Sequence, residues 1–143
     1  MSYANTRFTG GCLCGEVRFE IDGGLRPVVY CHCEQCRKTS GHYVAATACD
    51  PNLLKLLIDD GLRWYRSSPE AQRGFCSGCG SSLFWRPDHE RYISIMAGTL
   101  ALPTGLKGAC HIYTDMASDY YSIEDGLPQY AEDYPDALMA ELE

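Results

Sequence analysis

The chain lacks a long apolar run. Its longest, LLKLLI at 53–58, is far too short to span a bilayer, so no membrane partner is expected. The opening MSYANTRFTGGC carries no apolar stretch of the kind that makes a secretory leader. A cytoplasmic, reducing setting is the expectation that follows. Basic charge is scarce: 12 Lys and Arg stand against 19 Asp and Glu, for a net charge of −7. A nucleic-acid partner needs a basic patch, and residues 115–143 are instead strongly acidic. Also missing are an internal repeat, a low-complexity segment, a linker, a phosphate-cradling glycine loop and any Ser/His/Asp pattern. What is left is one globular domain, 1–143, long enough to bury roughly two-thirds of its unfolded surface.

The strand signals are short and numerous. EVRFEI at 16–21 alternates polar with apolar, which puts Val17, Phe19 and Ile21 on one face. PVVY, YVAATA, LRWYRS, FCSGCGSSLFWR, YISIMAG and CHIYTD read as further strands, punctuated by Pro69, Gly78, Gly80, Pro87, Gly98 and Pro103. LLKLLI is helix-like in composition and strand-like in length. EQCRKTSG predicts a helical turn stopped by Gly41, and PDALMAELE a short C-terminal helix. The fold class is mainly β, one domain, with short helical turns.

Cysteine is the residue present in excess, with nine in 143. An odd count in a reducing setting favours metal ligation or catalysis over disulfides. Seven of the nine sit in three clusters: Cys12 and Cys14 in GGCLCGE, Cys31, Cys33 and Cys36 in CHCEQC, Cys76 and Cys79 in FCSGCGS. In C-x-x-C-G a tight turn aims both sulfurs at one point, and the glycines at 78 and 80 permit the positive φ that such a turn needs. Two cysteine pairs complete a closed structural site, whereas three ligands with one open position typify a catalytic one. Spacing alone leaves open whether Cys12/Cys14 or Cys31/Cys33 joins Cys76/Cys79. Counting favours the first, which leaves the triple intact. His32, between two ligands of an extended C-x-C, points away from a metal there. His42 and His111 read as surface or satisfied core histidines, and Cys49 and Cys110 as small core residues. Tyr43, Trp64, Trp85 and Tyr113 read as core or rim.

Taken in order, GGCLCGEVRFE, CHCEQCRKTSG, QRGFCSGCGSSLFW, MAGTL, HIY and YYSIEDGLPQY resemble the glutathione-dependent formaldehyde-activating enzyme family, which includes centromere protein V. The resemblance spans about residues 10–131. It implies a zinc-binding β-tent of antiparallel sheets in which LLKLLI is a strand. It implies a structural zinc on Cys12, Cys14, Cys76 and Cys79, and a second, catalytic zinc on Cys31, Cys33 and Cys36. The implied activity is that of a carbon–sulfur lyase run in reverse, joining a small thiol such as glutathione to an aldehyde such as formaldehyde. Ser40, Gly41 and Tyr43, just after the triple, are then expected to line the pocket. Where the family often has an acidic residue after GTL, this chain has Ala101; where it often has Pro-Trp near the end, this chain has Tyr120–Tyr121. Those departures bear on substrate identity. The alternatives are a zinc-stabilised protein-binding module without turnover, or related chemistry on a non-glutathione substrate.

Overall fold

A computed structural model describes residues 7–141. In chain order the elements are β1 (Arg7–Gly11), β2 (Arg18–Asp22), β3 (Val28–Cys31), α1 (Glu34–Ser40), β4 (Val44–Cys49), β5 (Leu54–Ile58), β6 (Leu62–Ser68), β7 (Ala71–Cys76), β8 (Ser82–Pro87), β9 (Ile93–Met96), β10 (Gly108–Ile112) and α2 (Asp136–Glu141). Single 3-10 turns lie at Pro51–Leu53, Ala97–Thr99 and Thr114–Met116. No helix among the described residues is long and apolar enough to cross a membrane. The chain divides into two compact units, one running up to Arg26 and including Thr47–Gly105, the other Pro27–Ala46 with the chain from Leu106 onward.

The first unit is an antiparallel assembly. β1, β2 and β5 form a three-stranded sheet, with Gly11 opposite Arg18 and Phe19 opposite Leu56. β6, β7, β8 and β9 follow one another as an antiparallel meander. The period-two face is where the pattern put it: Val17, Phe19 and Ile21 are each no more than 1% exposed. Phe19 meets Phe84 edge to face, ring centres 5.2 Å apart, a favoured aromatic geometry. Its ring tip lies so close to Gly10 that a Cβ there would sit 2.6 Å from both Phe19 Cζ and the Thr99 carbonyl oxygen. Glycine at 10 is therefore a packing requirement. LLKLLI resolves as a strand, because β5 pairs with β2. Its Leu56, Leu57 and Ile58 remain partly exposed at the sheet's edge, so the run is apolar without being core.

The second unit centres on β3, flanked by β4 and β10. β4 is antiparallel to β3, with Val44 opposite Cys31. β10 runs parallel to β3, with His111 opposite Tyr30 and Ile112 opposite Cys31. That one pair departs from the expected all-antiparallel arrangement. Parallel pairing needs a long crossover, and the chain supplies one, since β4 to β9 lie between them in sequence. Val29, Ala109 and Cys110 form a buried cluster against which Ile112, Tyr130, Tyr134, Leu138 and Met139 pack. α1 is capped at its start by Cys33 and ended by Gly41 in the left-handed region, φ 84°, whose N–H donates to the Arg37 carbonyl. The expected stop at Gly41 is thus a true C-cap.

Candidate metal centres

In the first unit, Cys12 follows β1, Cys76 ends β7, and Cys79 lies in the turn before β8. Backbone hydrogen bonds pin the two loops: Cys12 N–H to Val17 O, Ser77 N–H to Gly61 O, Gly80 N–H to Cys76 O. Cys12 Sγ to Cys14 Sγ and Cys14 Sγ to Cys76 Sγ are both 3.7 Å, and all four sulfurs lie within 4.8 Å of one another. Tetrahedral zinc with sulfur at about 2.3 Å sets its ligands about 3.8 Å apart. The four sulfurs fit such an ion.

The two glycines of CSGCG do different work. Gly80 takes φ 79° as expected. Gly78 does not adopt a positive φ; it is small because a Cβ would fall 2.2 Å from Glu16 Oε2. Ser81 Oγ lies 3.2 Å from Cys79 Sγ, and with the Ser81 backbone it draws the Cys79 thiol down to about 5. Arg18 lays its guanidinium against Gly15 in the same loop.

In the second unit, Cys31 ends β3, Cys33 is the N-cap of α1 and Cys36 sits in its first turn. The Cys36 N–H donates to Cys33 Sγ at 3.4 Å. The three sulfurs lie within 4.8 Å of one another, and no other Cys, His, Asp or Glu of the described residues joins them. Hydrogen bonding to the Cys33 and Cys36 thiols, and then burial, push the Cys31 thiol up. Three thiolates this close need a cation to coexist. The cluster division that spacing left open is therefore resolved in space: Cys12/Cys14 with Cys76/Cys79, and the triple by itself.

The chain was also compared with known protein families. The model of the family described as glutathione-dependent formaldehyde-activating enzyme matches residues 7–116. The chain belongs to that family. A crystal structure of a Rhodobacter sphaeroides protein is similar in fold, with a TM-score of 0.57 at 18% identity, covering 85% of this chain and 98% of that one. The family match contains all seven clustered cysteines but stops short of YYSIEDGLPQY, which therefore adds nothing to the assignment.

Ser40, Gly41 and Tyr43, expected to line a pocket beside the triple, have the following contacts in this family member. Ser40 Oγ donates to the Cys36 carbonyl and accepts from the His42 N–H, so Ser40 and Gly41 finish the helix. Tyr43 packs against the His32 ring, centres 4.4 Å apart, and within reach of Tyr30 and Tyr121. Side chains alternate along a strand, so Tyr30 and Cys31 leave β3 on opposite faces, and His32, just past the strand, shares Tyr43 and His111 with Tyr30 as ring neighbours. His32 is not free surface: it is 1% exposed, and burial, then His111 and His42, push its imidazole down to about 4. His111 is a satisfied core histidine, 2.7 Å from Asp125. Cys49 and Cys110 are fully buried core residues, as expected.

One residue near the triple carried no sequence signal of its role. Tyr113 adopts φ 55°, ψ 41°, a left-handed conformation that is unusual for a bulky residue. Its N–H donates to Glu132 O and the next N–H to Tyr130 O, which hold the bend. Burial, then the charges of Asp133, Cys31 and Cys33, push its phenol up. Only the backbone reversal after Ile112, which is paired with Cys31, brings it there.

Proposed function

We propose that this protein is a zinc-dependent enzyme that activates a small thiol, glutathione or a similar one, for addition to an aldehyde such as formaldehyde, or catalyses the reverse cleavage. The observation that carries this reading is the three-sulfur group with no fourth protein ligand among the described residues. Zinc on three thiolates supplies a soft Lewis acid that holds a substrate sulfur as thiolate at neutral pH. Cys31, Cys33 and Cys36 would hold that ion; Cys12, Cys14, Cys76 and Cys79 would hold a second, structural one. The β3 strand end and the first turn of α1 fix the three sulfurs around one point and leave one approach uncovered by protein ligands. Tyr113, whose phenol feels the charge of Cys31 and Cys33, would donate a hydrogen bond to the oxygen that gains negative charge as the carbon–sulfur bond forms. Family membership supports the glutathione and formaldehyde chemistry. A reducing, cytoplasmic setting suits free thiols.

Metal analysis of the purified chain should find two zinc ions, with Cys31→Ser losing one and keeping the fold. A single zinc in the wild type, lost on changing Cys76, would sink the catalytic-centre reading. In a cobalt-substituted sample, glutathione should perturb the thiolate–metal absorption, and formaldehyde should perturb it further. An unchanged spectrum at millimolar glutathione would exclude glutathione as the thiol.

A further inference from the structure

Four side chains of the second unit form an unbroken hydrogen-bonded chain that passes through His32, between Cys31 and Cys33 in sequence. Tyr121 Oη lies 2.5 Å from His32 Nδ1, His32 Nε2 lies 2.8 Å from His111 Nδ1, and His111 Nε2 lies 2.7 Å from Asp125 Oδ2. Both imidazoles are almost fully buried, at 1% and 2% exposed, while Asp125 reaches solvent. An ionised carboxylate only accepts hydrogen bonds, and Asp125 Oδ1 is already taken by the Leu127 N–H at 3.0 Å. His111 Nε2 must therefore be the donor, and with one proton on the ring its Nδ1 is the acceptor. By the same rule His32 donates from Nε2 and accepts at Nδ1, so the Tyr121 hydroxyl donates. One carboxylate thus fixes the tautomer of two rings and the rotor of one phenol, all pointing the same way.

His32 is the residue between Cys31 and Cys33. Its ring is held at both nitrogens, and its N–H donates to Ile112 O at 3.0 Å. Cys31 and Cys33 therefore hang from a peptide whose central side chain has nowhere to turn. We propose that Asp125, His111 and Tyr121 are positioning residues for the three-cysteine site, acting through His32 to hold the sulfurs of Cys31 and Cys33 in ligating geometry. This rests on the reading of that group as a metal site. Outer groups that orient metal ligands are worth about 10–100-fold in metal affinity. The rival role, core stability alone, makes a different prediction. It would lower the melting temperature without discriminating between the two cysteine groups, and the four-cysteine site serves as the internal control.

The test is cobalt titration of the metal-free full chain against a competing chelator, for wild type, Tyr121→Phe and Asp125→Asn. Tyr121→Phe keeps the ring and removes one donor; Asp125→Asn cannot serve both the Leu127 N–H and His111 as acceptor. The wild type should take two ions. Each variant should bind the second about 10-fold or more weakly and the first unchanged, while nitrogen NMR of the wild type should find both imidazole protons on Nε2. Equal affinity of both sites in wild type and variants would overturn the positioning role, as would a proton on Nδ1 of either ring. Should Asp125→Asn fail to fold, Tyr121→Phe decides the matter alone. A wild type that takes only one ion would overturn the metal-site reading itself, and this role with it, and is distinguishable because it needs no variant.

Discussion

Stripping metal from the four-cysteine site should lower the melting temperature by about 13 °C. Cys14 and Cys76 are 62 residues apart in sequence, and an ion bridging them closes that loop in the unfolded chain as well as in the folded one. Treated as a cross-link, closing about 62 residues removes about 14 cal/mol/K of chain entropy, or about 4 kcal/mol at 25 °C. Unfolding entropy of about 2.1 cal/mol/K per residue gives about 0.3 kcal/mol/K for a chain of this length, and the ratio sets the shift. The assay is thermal unfolding by circular dichroism under reductant, with and without a strong chelator, on wild type, the Cys33→Ser variant and the Cys76→Ser/Cys79→Ser double variant. Cys33→Ser should keep the large chelator-sensitive drop and the double variant should lose it. If the chelator demonstrably removes the metal from Cys33→Ser and its melting temperature moves by less than about 3 °C, the cross-link reasoning is wrong.

Gly10→Ala should cost about 2–3 kcal/mol, because its Cβ would meet the Thr99 carbonyl oxygen and the Phe19 ring at 2.6 Å and the backbone side of that clash cannot rotate away. Denaturant unfolding would show it as a lowered midpoint, and an unchanged midpoint would contradict the packing. Gly41→Ala meets nothing within 4 Å and should cost only about 1–2 kcal/mol for its left-handed φ; a total loss of folding would mean that Gly41 does more than cap α1. The Arg66–Asp88 pair, 2.8 Å apart, holds the Asp88 carboxyl below its ordinary value, chiefly by hydrogen bonding from Arg66. A depressed carboxyl stabilises above its unfolded value and loses that stabilisation as pH falls through its folded one. The stability difference between wild type and Asp88→Asn should therefore be present at neutral pH and vanish as pH drops below about 4; a difference that persists in acid would point to packing instead.

Local patterns carried much of the fold. The alternation in EVRFEI named the buried face, because strand periodicity is a property of adjacent residues. CSGCG named its own turn, and EQCRKTSG its own helix and stop. LLKLLI could not be resolved locally: what makes it a strand is the pairing with β2, a partner more than thirty positions earlier in the chain. The parallel placement of β10 was equally illegible, since nothing in GACHI records direction.

The inventory of candidate ligands was legible in sequence alone: seven clustered cysteines, in a pair, a triple and a pair, could hold a metal ion wherever they meet. Which clusters meet was decided by tertiary structure, which brings positions 14 and 76 to 3.7 Å. The left-handed bend at Tyr113, and the chain linking Tyr121, His32, His111 and Asp125, also belong to the tertiary structure. Their contacts join residues up to 89 positions apart, across a parallel strand pair and a backbone reversal. Spacing along a chain reports what neighbours can do together; only the packed fold fixes which distant side chains become neighbours.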